Sequence, residues 1–241
     1  MADYPALPAG ELVYAVGDIH GRADLLARLL AQIEADAARE TAASKRLVFV
    51  GDYVDRGADS AGVVEILLTQ LPRGFAADFL KGNHEALLLD FLTDASRFEH
   101  WRINSAETTM SSYGVNVEKL HRIGAGPELW REAFIVALPE AHRRFYEGLQ
   151  LSVTHGDYHF VHAGVWPGTP LDAQEEDDLI WIREPFLEWK KPFGKVVVHG
   201  HTPVPEPDRR PNRIGIDTGA VFTGRLTALK LKESSQEFLQ T

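Results

Sequence analysis

The chain has 241 residues, 44% of them hydrophobic, enough for one substantial core and short for two, so a single domain spanning 1–241 is expected. A formal net charge of −10 sets the global field against phosphate backbones and anionic membranes, which makes nucleic acid and lipid poor partners. With no cysteine, disulfides and thiolate metal sites are excluded, and any metal must rest on His, Asp, Asn or Glu.

The first stretch, MADYPALPAGELVYAVGD, has no basic leader region, and its apolar run Leu12–Val16 is cut by Gly17 and Asp18 well short of a membrane span, so a cytoplasmic location is expected. Leu12–Val16 reads as a strand, and Asp24–Ala38 follows as a helix with Leu25, Leu26, Leu29, Leu30 and Ile33 on one face. Strand Leu47–Val50, helix Val63–Leu71, strand Phe75–Leu80 and helix Glu85–Leu92 continue the alternation, which predicts a mainly parallel α/β arrangement with right-handed crossovers. From Asp94 to Ala141 strong strand signals are missing, and segments such as WRINSAETTMSSYG and GPELWREAF predict short helices forming a cap or insertion. LSVTHGDYHFVHAG predicts two strands, Leu149–Val153 and Tyr158–Val161, joined at Gly156-Asp157. Further strands are expected at Lys195–Val198, Arg213–Ile216 and Leu226–Leu231, so a second sheet is implied. PVPEPDRRPNR, Pro203 to Arg213, reads as a surface loop.

Ligands of open α/β sheets collect beyond the carboxyl ends of strands. The unusual residues of this chain sit there: Asp18 and His20 after one strand, Asp52, Asp55 and Arg56 after the next, Asn83 and His84 after the third, and His162 and His201 after later ones. Singly, each has an ordinary reading, such as a turn aspartate, a helix cap or a solvated histidine. Arg56 could pair with Asp52 or Asp55, and Asp55 could cap the helix starting near Ser60. Arg22 reads as a solvated arginine, and His155 and His159 as turn or packing residues. Together, two Asp, one Asn and three His at strand ends, each near a glycine, form an N/O donor set suited to two divalent transition ions. In VVVHGHTP, spacing alone does not choose between His199 and His201.

The motifs GDIHG, GDYVDRG, GNHE, HAG and HGHT, in order from Gly17 to Thr202, resemble those of the phosphoprotein phosphatase branch of the metallophosphoesterases. IWIRE, Ile180 to Glu184, is similar to a segment of the bacterial and bacteriophage lambda-type serine/threonine phosphatases. The resemblance implies a calcineurin-like α/β fold, a β-sandwich of two mixed sheets flanked by helices, with 94–148 as a small helical insertion. It also implies Asp18 and His20 on one ion, Asn83, His162 and His201 on the other, and Asp52 bridging, which selects His201 over His199. Manganese is the first expectation, with iron, zinc or cobalt compatible with the same ligands. A hydroxide shared by the ions would attack phosphorus, Arg56 and Arg183 would clamp the phosphoryl oxygens with Asn83 also contacting substrate, and His84, oriented by Asp55, would protonate the leaving group. The implied activity is hydrolysis of phosphoserine or phosphothreonine in proteins. A symmetrical dinucleoside tetraphosphatase or a small-molecule phosphatase is the alternative, and a non-catalytic phosphate-binding module ranks below both. Glu85 and VDRG favour the protein phosphatase, while Ser105-Ala106 departs from the glycine-rich form expected in related bacterial enzymes and bears on substrate contacts.

Overall fold

The structure is a computed structural model, and it describes residues 5–241. Its first sheet has the order β10 (Ser235–Gln240), β9 (Thr227–Lys232), β1 (Glu11–Val16), β2 (Ser44–Phe49), β3 (Phe75–Phe79). β1, β2 and β3 run parallel, with Tyr14 opposite Leu47 and Leu47 opposite Ala77, while β9 pairs antiparallel with both β1 and β10. The second sheet has the order β4 (Ser152–His155), β5 (Tyr158–Val161), β6 (Val196–His199), β8 (Arg213–Gly215), β7 (Asp208–Arg209), with β5, β6 and β8 parallel. Both sheets are therefore mixed.

Because side chains alternate across a strand, β1 and β2 feed two cores at once. Val13, Ala15 and Val48 face Tyr158, Phe160, Val198 and Ile214 of the second sheet and fill the space between the sheets. Leu12, Tyr14, Val16, Leu47 and Phe49 point the other way, where α1 (Ala23–Ala37), α2 (Ser60–Thr69) and α3 (Asn83–Thr93) cover them. In α1 the residues Leu25, Leu26, Leu29, Leu30 and Ile33 recur at helical spacing and are all buried. α2 starts where the Asp59 carboxylate accepts the N–H of Gly62 at 2.8 Å, so Asp59, not Asp55, is the cap of that helix.

Five short helices follow α3: α4 (Phe98–Arg102), α5 (Ala106–Ser112), α6 (Val117–Arg122), α7 (Pro127–Ala137) and α8 (Glu140–Glu147). They pack Trp101, Met110, Trp130, Phe134 and Tyr146 onto the same core as α1 to α3. A third cluster lies on the outer face of the second sheet, where Val161 and Val197 meet Leu179 and Ile180 of α9 (Glu176–Trp181), then Ile182 and Phe186.

Three sequence expectations shift. The strand expected at Leu149–Val153 begins only at Ser152, and Gln150 instead makes a single parallel bridge to Leu80. The Pro-rich loop contains the two-residue strand β7. β10 went unread because SQEFLQ holds only two apolar residues, Phe238 and Leu239, as suits a sheet edge.

An ionic tie joins α1 to the first sheet. Glu40 accepts from Lys230 Nζ at 2.6 Å and Lys232 Nζ at 2.8 Å, and Lys230 also lies 2.8 Å from Asp36, which accepts from Tyr14 Oη at 2.6 Å. Hydrogen bonds from the two lysines, Lys230 first, hold the Glu40 carboxyl down at about 2, against 4.5 for a free glutamate. A carboxyl lowered on folding adds stability above its unfolded value and loses it as pH falls through the folded one. Glu40→Gln should therefore lower the thermal midpoint at pH 7 by about 2–4 °C, for a tie worth about 1 kcal/mol at a partly exposed site. The gap from the unsubstituted protein should narrow as pH falls from about 4.5 toward 2. Thermal melts across pH check this, and a gap that is constant with pH would refute it.

Candidate functional site

The loop after β2 carries Asp52, Asp55 and Arg56 at φ 54°, 68° and 66°, a left-handed region that non-glycine residues enter at a cost of order 1–3 kcal/mol each. Glu85, wholly buried at the start of α3, holds this loop. Its carboxylate accepts the backbone N–H groups of Tyr53 at 2.8 Å, Asp52 at 2.9 Å, Gly82 at 3.0 Å and Val54 at 3.3 Å. Burial, then Asp52, push this carboxyl up to about 8, yet four converging donors leave no acceptor for an acid proton, so the geometry favours the anion.

Asp52 lies between two histidines. His20 donates from Nδ1 to the Val54 carbonyl at 2.8 Å, since a carbonyl can only accept, and this leaves its Nε2 lone pair 3.4 Å from Asp52 Oδ2. His162 donates from Nδ1 to the Val50 carbonyl at 2.8 Å, and its Nε2 lies 3.5 Å from Asp52 Oδ1. Each oxygen of one carboxylate thus faces an imidazole Nε2; Arg56 donates to that of His20, while that of His162 lies against two acceptors, Asp52 Oδ1 and Asn83 Oδ1, an arrangement suited to a cation. Burial drives His20 down to about 3 and lowers His162 as well, so neither ring supplies that cation by protonation near neutral pH.

Asn83 Oδ1 lies 3.0 Å from His162 Nε2 and 2.9 Å from His201 Nδ1. Asp18 accepts the His201 backbone N–H at 3.0 Å through Oδ2, while its buried Oδ1 has no partner. Two overlapping groups of donor atoms result, each within 4.8 Å: His20, Asp52 and His84, and Asp52, His162 and His201. These groups bring together His20, Asp52, His162 and His201 of the six residues read from sequence, together with His84, while Asn83 and Asp18 adjoin them through His201; such N/O donors fit hard or borderline divalent cations. Glycine permits the approach: a Cβ on Gly82 would strike the Asp52 carboxylate, and one on Gly200 the Asp18 carboxylate.

His84 donates from Nδ1 to Asp55 Oδ2 at 2.6 Å, with both side chains fully buried. Burial opposes a charge on His84, but Asp52 and Asp55 outweigh it and hold its pKa above the ordinary value. Asp55 is itself fixed by the helices after α3: Trp101 Nε1 donates to Oδ2 at 2.9 Å and Thr109 Oγ1 to Oδ1 at 2.6 Å. Glu85, Trp101 and Thr109 were not foreseen as site residues. Thr109 falls in the very segment that departs from the glycine-rich form, so that segment supports Asp55.

The ordinary readings resolve individually. Arg56 pairs with neither carboxylate; its Nη1 and Nη2 donate to His20 Nε2 at 2.7 Å and His84 Nε2 at 3.0 Å. Arg22 is tied to Asp24 and to the Ala220 carbonyl. His199 turns away from the site, its Nε2 accepting from Arg213 at 3.3 Å, while left-handed His201 (φ 62°) turns in. His155 bonds Asp78 and His159 bonds Thr154. Arg183 is exposed, and its charge helps lower His201, where burial acts first.

Residues 12–224 match the calcineurin-like phosphoesterase family. The chain belongs to this family. Membership implies divalent metal ions, and the two donor groups fit them. The chain is similar to asymmetrical bis(5'-nucleosyl)-tetraphosphatase PrpE of Oceanobacillus iheyensis, 29% identical over 90% of this chain and 88% of the relative. It is similar to serine/threonine-protein phosphatase 1 of Salmonella typhimurium, 28% identical over 91% and 92%. A solved structure provisionally described as a diadenosine tetraphosphatase superposes with a TM-score of 0.66 over 98% of both chains at 23% identity, a likeness of fold. The two mixed sheets with flanking helices are the calcineurin-like phosphoesterase fold.

The Glu85 hub carries its own expectation. Glu85→Gln turns one acceptor into an N–H₂ group facing N–H donors and should cost about 1.5–3 kcal/mol, with a lower thermal midpoint and weaker binding of added manganese to chelator-treated protein. Calorimetric melts and titrations measure both, and unchanged values would show that the loop is held without it.

Proposed function

We propose that the protein is a metal-dependent phosphomonoesterase acting on phosphoserine and phosphothreonine in proteins, with two divalent transition ions, manganese first. Asp18 and His20 would hold one ion, Asn83, His162 and His201 the other, and Asp52 would stand between them. When bound, the ions supply charge neutralisation and a water activated near neutral pH.

The chain's own residues supply the rest. Arg56 and Arg183 carry planar forks of donors suited to the equatorial phosphoryl oxygens. His84, its Nδ1 proton fixed on Asp55, accepts from Arg56 at Nε2 here and would turn that atom, once protonated, to the departing oxygen when Arg56 engages the phosphoryl group. This dyad is the observation that carries the proposal. An alkoxide leaves poorly and needs a proton, whereas the phosphate leaving group of a dinucleoside polyphosphate needs little help. A fully buried His–Asp pair, braced by Trp101 and Thr109, is built for the harder departure.

A second reading, an asymmetrical rather than symmetrical dinucleoside tetraphosphatase, is favoured by the PrpE likeness. Turnover of phosphoserine peptides and diadenosine tetraphosphate side by side separates the two, and the proposal fails if only the dinucleotide is cleaved.

His84→Asn should retain both ions and lower turnover roughly 10²- to 10⁴-fold on an alkyl phosphate, but less on p-nitrophenyl phosphate, with Asp55→Asn a milder version. Equal losses on both substrates together with a missing ion would make His84 a ligand. Arg183→Ala should weaken inhibition by inorganic phosphate without changing metal content. Metal analysis beside inhibition kinetics tests it, and lost metal with unchanged phosphate affinity would make Arg183 structural.

A further inference from the structure

Beside the donor cluster, two aromatic rings stand open to solvent. Trp181, the last residue of α9, is 38% exposed. Its indole meets the ring of His201 edge-on, with centroids 6.2 Å apart. His100 of α4, also exposed, has its ring 7° from parallel to the indole, with the centroids 6.4 Å apart. Fully overlapping rings in contact would lie about 3.5 Å apart, and a third ring between two others needs roughly 7 Å. At 6.4 Å the two rings do not cover each other, and each leaves face area free.

The backbone places this pair next to the phosphate clamp. Ile182 is extended (φ −60°, ψ 139°) and buried between exposed Trp181 and exposed Arg183. Ile182 and Phe186 anchor the segment in the cluster on the outer face of the second sheet, so its exposed residues sit on a fixed support. Both exposed residues border His201, Trp181 by ring contact and Arg183 by its charge. An exposed tryptophan held rigidly at the rim of a polar site, with a second ring parallel to it, is suited to stacking on a planar group of the bound molecule.

We propose that Trp181 and His100 form an aromatic subsite that selects phosphoesters carrying a planar aromatic ring close to the phosphoryl group. The proposal rests on the phosphoesterase reading of the adjoining site. In a phosphoprotein the ring would be an aromatic side chain beside the phosphoserine, and in a dinucleoside polyphosphate it would be the base. The chemistry of recognition is the same, stacking of one flat ring on another.

The test uses the manganese-loaded protein and two phosphoserine peptides that differ only in having Phe or Ala beside the phosphoserine, with diadenosine tetraphosphate as a third substrate. The unsubstituted protein should prefer the Phe peptide about tenfold in kcat/KM, carried by KM, and in Trp181→Leu and in His100→Ala this ratio should fall toward one. His100→Ala keeps the test valid if loss of the indole disturbs His201, and metal content is measured in each variant. Cleavage of both peptides with equal efficiency by the unsubstituted protein, or a ratio unmoved in His100→Ala, overturns the subsite and leaves the phosphatase reading standing. Cleavage of the dinucleotide alone, with a KM that rises in both variants, supports the subsite with a base as its ring and overturns the phosphoprotein reading.

Discussion

One carboxylate between two imidazole lone pairs sets the terms for the rest of the site. Asp52 presents Oδ2 to His20 and Oδ1 to His162 at 3.4 and 3.5 Å, and the carbonyls of Val54 and Val50 hold both ring protons on the far side. Arg56 satisfies the His20 nitrogen, but at His162 facing acceptors repel, and burial removes the water that would otherwise separate them. A divalent cation held there would turn the repulsion into coordination, so the protein's task is to hold the acceptors in place before any cation arrives. Glu85 does this by taking three backbone N–H groups of the Asp52 loop and a fourth from Gly82, and the left-handed conformations at His20, Asp52 and His201 are the backbone cost of aiming the side chains inward.

The sandwich makes such a cluster possible because its two sheets deliver strand ends to one place. Asp18, Asp52 and Asn83 follow β1, β2 and β3 of one sheet, while His162 and His201 follow β5 and β6 of the other. The alternation of Val13 and Ala15 toward one core with Leu12 and Tyr14 toward another binds the first sheet to both its partner sheet and its helices. Displacing either sheet would separate Asp52 from His162, which lie on opposite sides of the interface.

The proposed chemistry and the proposed selectivity are attached to different parts of this frame. The donor cluster belongs to the strand ends, whereas Asp55 is braced by Trp101 and Thr109 of the helices after α3. Arg183 and Trp181 ride on a segment anchored by Ile182 and Phe186 on the outer face of the second sheet. The helical segment and the α9 segment approach each other beside His201 through His100 and Trp181. Changes in either can alter what is bound while the strand ends stay as they are.

Much of the site was legible in the amino-acid sequence, because its residues break local rules. Asp, Asn and His beside glycine at the ends of apolar runs conflict with burial unless they share a ligand, and that conflict is visible at Asp18, Asp52, Asn83 and His162 without any coordinates. The parallel α/β half was equally open, since Leu25 to Ile33 and the runs around Val13 and Val48 show their periods directly. Hidden were the features that depend on residues far apart in the chain. Glu85 reads as one more acid near a helix start until the fold brings four N–H groups to it, and Thr109 reads as a helix residue until α5 reaches Asp55, 54 positions away. His199 and His201 are equivalent by spacing, and only the left-handed turn at His201 sends one toward Asp52 and the other toward Arg213. Sequence patterns report what each segment must bury or expose, but which buried groups satisfy one another is decided by tertiary packing, because hydrogen bonds and coordination act over about 3 Å in space with no regard to separation along the chain.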